Sequence, residues 1–309
     1  MTALSDTMRR LLADETPSVL VTVVAALGST PREAGARMLV QARRATGPIG
    51  GGRLEHEAIA AARRLIETGA LAHHMEVPLG PAIGQCCGGF VRLHLERADA
   101  GALAALERLE RVERDSLPAV YLFGAGHVGK AVAQALAPLP LRLTWIDSRV
   151  EEFPDSIPDG VTRLVAADPV ARVKIAEPGA GFLVLTHDHA LDFELAGAAL
   201  RRGDALYVGL IGSRTKRRKF ERLYMARDGQ TTDLARLVCP IGAGLGRDKR
   251  PPVIAAMVAA ELLIAIDRAA SRVVPIAAAI WDHSGCADHR DGCGACPDAT
   301  ANAMIRGAI

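Results

Sequence analysis

Beyond residue 119, apolar runs of strand length alternate with stretches of helical period, the pattern of βαβ units around a parallel sheet. The strands expected are Val120 to Phe123, Leu143 to Ile146, Thr162 to Val165, Phe182 to Thr186 and Leu206 to Ile211, with helices beginning near Val128, Pro169, Ala190 and Thr215. A last helix follows Pro251 and Pro252, because a proline in the first helical turn forgoes an N–H that has no partner there. Before residue 119 the pattern is mixed. Helices are expected over Ala3 to Ala13, Arg53 to Thr68 and Asp99 to Asp115, and strands over Ser18 to Ala25, Arg37 to Gln41, His74 to Val77 and Phe90 to Leu95. The helix ending before Pro118 marks a boundary, since the residue before proline leaves helical space.

The fold class expected is therefore α/β, with a smaller α+β domain over 1–116, a Rossmann-like parallel-sheet domain over 117–270 and a cysteine-containing tail over 271–309. The final stretch, Trp281 to Ile309, has no clear period and reads as a mobile tail. No repeat of fixed period interrupts this organisation.

Composition narrows the class of function. The chain has 309 residues, is 50% apolar, and carries a formal net charge of +2, so no global field recruits nucleic acid or an anionic membrane. The most apolar segment, Val253 to Ile266, is short of the ~20 residues that span a bilayer and contains Glu261, so it reads as a buried helix. The N-terminus is amphipathic rather than uniformly apolar, which argues against export. The six cysteines are an adjacent pair, a single Cys239 and a tail cluster of Cys286, Cys293 and Cys296. That spacing is not a disulfide framework, so a reducing cytoplasm is expected.

Candidate chemistry collects at the carboxyl ends of the expected parallel strands. VYLFGAGHVGK places Gly124, Gly126 and Gly129 after a strand and at the start of a helix, where small residues allow a tight turn and close approach of backbone to phosphate. Asp147, in WIDSR, ends the next strand at the place of a carboxylate that accepts from a ribose diol. THDHALD offers His187, Asp188, His189 and Asp192 past another strand, expected to face the same crevice; Asp188 also reads as a helix N-cap. GLIGSRTKRRKF offers Ser213 and Arg214 as a phosphate seat, while Arg217, Arg218 and Lys219 read as a solvated basic face. In the first domain, Gly50, Gly51 and Gly52 precede a helix with Glu55 and Glu57, either as a backbone nest for an anion or as a tight turn. GQCCGGF holds Cys86 and Cys87 among glycines, as accessible thiols able to meet a soft metal or carry sulfur, or as packing. The tail residues Cys286, Cys293 and Cys296, with His283 and His289, match no complete metal pattern.

Taken together and in this order, GSTPREAGARMLV, GPIGGGRLEHEAI, CCGG, LFGAGHVGKAVA, WIDSR, THDHALD, GLIGSRTKR and CPIGAGLG resemble the xanthine dehydrogenase accessory proteins, the XdhC/CoxI group. His127 belongs to the GAGHVG part of that resemblance. The resemblance implies a non-catalytic cytoplasmic protein that binds the molybdenum cofactor in its molybdopterin form, protects it while its terminal sulfur is installed, and delivers it to an apo xanthine dehydrogenase. It implies a cysteine desulfurase as a further partner and self-association as a homo-oligomer. The cofactor-binding residues expected are Gly51, Gly52, Cys86, Cys87, Gly124, Gly126, His127, Gly129, Asp147, His187, Asp188, His189, Ser213 and Arg214. Many members of that group are expected to have a cysteine after the glycines of the N-terminal turn, where this chain has Arg53, so no thiol role is implied there. The competing reading is an NAD(P)-dependent oxidoreductase built on Gly124 to Asp147, against which stands the lack of a Tyr-x-x-x-Lys proton-donor set, although His187 or His189 could serve.

Overall fold

Strands rich in Val, Leu and Phe with both faces apolar have to be covered on both sides, and the computed structural model shows how this chain does so. It describes residues 3–28, 30–79, 89–227, 229–242 and 248–272. The chain divides into a compact unit, Met1–Ile266, and the segment Asp267–Ile309, of which only the end of the last helix is described.

The first half runs α1 (Leu4–Ala13), β1 (Ser18–Leu27), β2 (Arg37–Gln41), β3 (Ala45–Thr46), α2 (Gly52–Thr68), β4 (Ala72–Leu79), β5 (Gly89–Arg97) and α3 (Ala100–Ser116). Its five strands form an antiparallel sheet in the order β3-β2-β1-β5-β4. Alternation along β1 sends Val19, Val21 and Val23 into the core with Leu54, Ala58 and Leu65 of α2, while Leu20 faces Met8 of α1 and Leu106 of α3.

The second half runs β6 (Ala119–Phe123), α4 (His127–Leu136), β7 (Arg142–Asp147), β8 (Val161–Val165), α5 (Pro169–Ile175), β9 (Gly181–Val184), α6 (His189–Arg201), β10 (Tyr207–Leu210), α7 (Arg214–Met225), α8 (Thr231–Leu234), β11 (Leu237–Val238) and α9 (Pro251–Arg272). Its six strands are all parallel, in the order β11-β10-β9-β6-β7-β8. Numbered from β6, that is the 3-2-1-4-5-6 order of dinucleotide-binding sheets, with the reversal between β6 and β9. Phe123, Phe182 and Val208 pack under α5, α6 and α7; Leu122, Trp145 and Leu183 pack under α4 and α9. Each such ring or branched side chain contributes roughly 1.5–3 kcal/mol of burial.

Two features depart from the sequence reading. The strands β3 and β11 are two residues long, below any detectable period. The helix α9 buries Ala255, Val258 and Leu262 but leaves Ile264 46% exposed, so only one face is covered. Its Glu261 accepts from the Tyr207 hydroxyl at 2.9 Å and the Gly242 amide at 2.8 Å, which explains an acid in an apolar helix. Among the described residues no helix is long and apolar enough to cross a membrane.

Candidate functional site

The reversal of strand order between β6 and β9 opens a crevice at their carboxyl ends, and the glycine turn lies on one lip of it. Gly124 has φ +113°, and a β-carbon there would stand 2.2 Å from the Leu185 carbonyl oxygen. At Gly129 a β-carbon would stand 2.0 Å from the Gly124 carbonyl oxygen, so α4 can lie this close only through glycine. Gly126 differs: the same test meets nothing within 4 Å. Two of the three glycines thus serve internal packing, and the third faces open space.

The turn is held from below. Trp145 Nε1 donates to the Gly124 carbonyl at 2.9 Å, and the Ala125 amide donates to Asp147 Oδ2 at 2.8 Å. Asp147 is 6% exposed and also accepts from the Arg149 amide, Nε and Nη2, each at 3.0 Å. Burial by itself would raise this carboxyl, but the bonds from Arg149 and Ala125 outweigh it and hold it below the ordinary carboxylate range. The acid expected to receive a ribose diol is therefore engaged within the chain. Arg149, with Glu152 as a further partner at 3.1 Å, places a guanidinium at that point instead.

The opposite lip is the segment after β9. Thr186, His187 and Leu191 line the crevice with Gly124 and Asp147, but Asp188, His189 and Asp192 of THDHALD do not. Asp188 caps α6 by accepting from the Ala190 amide at 2.7 Å, and His189 lines a separate groove on the outer side of the helices. The expectation that all of these side chains face one crevice is corrected accordingly, because the first turn of α6 rotates successive side chains apart. Asp192 is fully buried, accepts from the Thr186 amide at 3.0 Å and hydroxyl at 2.7 Å, and forms an ion pair with Lys216 Nζ.

Lys216 was legible only as one of several cations, yet it ties the Thr186 segment to the start of α7. There Ser213 caps by accepting from the Lys216 amide at 3.2 Å. Arg214 is exposed and its side chain makes no hydrogen bond or ion pair among the described residues. Arg217 is not part of a solvated face: its guanidinium donates to the carbonyls of Leu234, Leu237 and Cys239 and pairs with Glu221 at 2.7 Å. Cys239 is 7% exposed, and burial pushes its thiol up to about 11.

Helix starts differ in what closes them. Asp99, Asp168, Asp188 and Ser213 close α3, α5, α6 and α7 with their own side chains, whereas α4 has no side-chain cap. His127 is exposed at its first residue. The N-terminal nest is closed too: Glu55 Oε1 accepts from the amides of Ile49, Gly50 and Gly51 at 3.0, 3.2 and 2.8 Å. Gly51 therefore seats an anion that belongs to the chain itself, and Gly52 begins α2 behind it. Cys86, Cys87 and the tail cysteines lie outside the described residues. Among the described residues, no group of three or more His, Cys, Asp and Glu side chains is placed to hold a metal.

Comparison with known proteins agrees with this fold. A model of the XdhC Rossmann domain matches residues 120–262, and a model of the XdhC and CoxI family matches residues 11–75. The chain is 30% identical over 256 residues to YqeB of Escherichia coli (strain K12), a protein described as uncharacterized; the alignment covers 80% of this chain and 43% of YqeB. The chain thus spans less than half the length of that relative. A crystal structure from Bacillus halodurans described as a xanthine dehydrogenase has a TM-score of 0.70 at 17% identity, over 89% of this chain and 98% of that one. At that identity the likeness bears on the fold alone.

Proposed function

The chain belongs to the XdhC and CoxI family, and from that premise we propose that it is an accessory factor in xanthine dehydrogenase maturation. In this reading it binds the molybdenum cofactor in its molybdopterin form, shields it during sulfuration, and hands it to the apo-enzyme.

The observation that carries the reading is the uncapped start of α4 beside an open Gly126, with Arg149 held next to the same turn through Asp147. Free backbone amides at a helix start and nearby guanidinium groups are the elements that seat a phosphate, and molybdopterin carries one. Between Gly124, Asp147 and Thr186 the crevice holds only about 10 Å³, enough for little more than a water. The pterin would therefore lie along the strand ends, where His127 and His187 are exposed and able to hydrogen-bond its ring edge. In this reading the residues of the crevice bind and orient cargo.

Engagement of Asp147 by Arg149 also bears on the dehydrogenase alternative. A carboxylate already bonded to Arg149 and Ala125 is a poor receptor for the ribose diol of NAD, whereas Arg149 suits the 2′-phosphate of NADP.

One experiment separates the two. The protein is purified from cells making the cofactor, bound pterin is oxidised to its fluorescent derivative, and the apo form is titrated with NAD and NADP. Near-stoichiometric pterin supports the accessory role. No pterin together with saturable NADP binding overturns it.

A further inference from the structure

We propose that the groove between α5, α6 and α7 is a second binding site, built for a small organic anion carrying a planar ring. It lies on the outer side of the helices, apart from the crevice at the strand ends, and does not depend on the accessory role.

Its size and walls set the class of occupant. The groove encloses about 690 Å³, within the ~300–1,000 Å³ of small-molecule sites. The apolar side is formed by Leu223, which is 41% exposed, and by a row of three rings in which Phe193 is tilted against Phe220 with centroids 5.5 Å apart and Phe220 stacks on Tyr224 at 5.4 Å. A row of rings with an accessible edge favours a flat apolar partner over an extended polar one.

Charge in the groove is strongly one-sided. Lys174, Arg201, Lys219 and Arg227 line it, and Glu194 is the acid among the lining residues. The side chains of Lys174, Lys219 and Arg227 make no ion pair or hydrogen bond among the described residues, and Arg201 lies over the Tyr224 ring at 5.7 Å. Arg202 is different, since it is bound to Asp204 and to the carbonyls of Val173, Lys174, Ala176 and Glu177, and so holds α5 to α6. Unpaired cations around a low-dielectric concavity raise the local concentration of anions.

The probe is 8-anilinonaphthalene-1-sulfonate, which joins rings to one fixed anion, followed by its fluorescence on titration of the full chain. Two controls divide its chemistry: N-phenyl-1-naphthylamine, which lacks the sulfonate, and inorganic sulfate. The site predicts one saturable equivalent of the sulfonate, with each control at least about tenfold weaker. Reversing two exposed rim charges, Lys219→Glu with Arg227→Glu, should weaken binding by about tenfold or more, and Glu194→Gln should tighten it by about twofold to threefold. Gly126→Val, at the strand-end crevice, should leave it unchanged. Binding that is insensitive to both groove variants overturns the proposal, as does loss with Gly126→Val. Displacement of the probe by an acidic peptide at lower concentration than by a free aromatic sulfonate also overturns it, in favour of a protein partner.

Discussion

Asp147 and Arg149 face each other as a bidentate pair, with Oδ1 3.0 Å from Nε and Oδ2 3.0 Å from Nη2, at the end of β7. The same carboxylate receives the Ala125 amide, so the pair fixes the glycine turn as well as itself. Asp147→Asn should therefore destabilise the fold by about 1–3 kcal/mol at neutral pH, the range for stranding buried partners of a charge-assisted bond. The folded-state carboxyl is held below its unfolded value. Its contribution is complete above the unfolded value, near ~4, and is lost as pH falls through the folded one. Urea unfolding of both proteins at pH 7 and pH 3 checks this: the gap should shrink at the lower pH. An equal gap at both would detach the carboxylate's charge from the stability of the turn.

The three glycines of GAGHVG should separate cleanly on substitution by alanine. A β-carbon at Gly124 or Gly129 would lie 2.2 or 2.0 Å from a carbonyl oxygen, so Gly124→Ala and Gly129→Ala should cost about 4 kcal/mol or more, or fail to fold. Gly126→Ala meets nothing and should unfold within about 1 kcal/mol of the parent. Its effect should instead fall on retained pterin, measured after oxidation. A Gly126→Ala protein as unstable as the other two would contradict the division of roles.

Residues adjacent in sequence made this part of the site legible, because a strand, a glycine turn, a helix and an acid follow one another within 28 residues, from Val120 to Asp147. What Asp147 does was not legible. The position predicts a ligand acceptor, but Arg149 sits two residues on and takes the same lone pairs, an outcome decided by side-chain direction in a turn. Glu55 reads as a helix-dipole residue, yet it also reaches back four to six residues and fills the nest. Strand order, Arg217's grip on three carbonyls, and the outward face of His189 all depend on how elements pack, which local periodicity does not encode.

Asp192 and Lys216 are 24 residues apart, and their ion pair is buried, with side chains 0% and 10% exposed. Removing one partner leaves the other charge without compensation, so Asp192→Ala or Lys216→Met should each destabilise by about 3–5 kcal/mol. Replacing both, as Asp192→Asn with Lys216→Met, should recover much of that loss, since no charge is then left buried and the asparagine oxygen still accepts from the Thr186 amide and hydroxyl. A double-mutant cycle in chemical denaturant measures the coupling. Additive losses would mean that the two side chains act independently and that the pair does not join the Thr186 segment to α7.

Glu55 holds three consecutive amides of the N-terminal turn, so Glu55→Ala should both weaken the fold and open the nest. The loss of three bonds to one carboxylate is expected to cost about 1–3 kcal/mol. An emptied cradle of N–H groups is also an anion site, and an ion that binds only the folded state stabilises it in proportion to its concentration. Thermal unfolding in chloride and in sulfate at matched ionic strength distinguishes this from general salting-out, which acts on parent and variant alike. The variant should gain more from sulfate than the parent, in which Glu55 already fills the nest. Equal gains would show that the turn collapses once the carboxylate is gone, and that its amides are then satisfied by water.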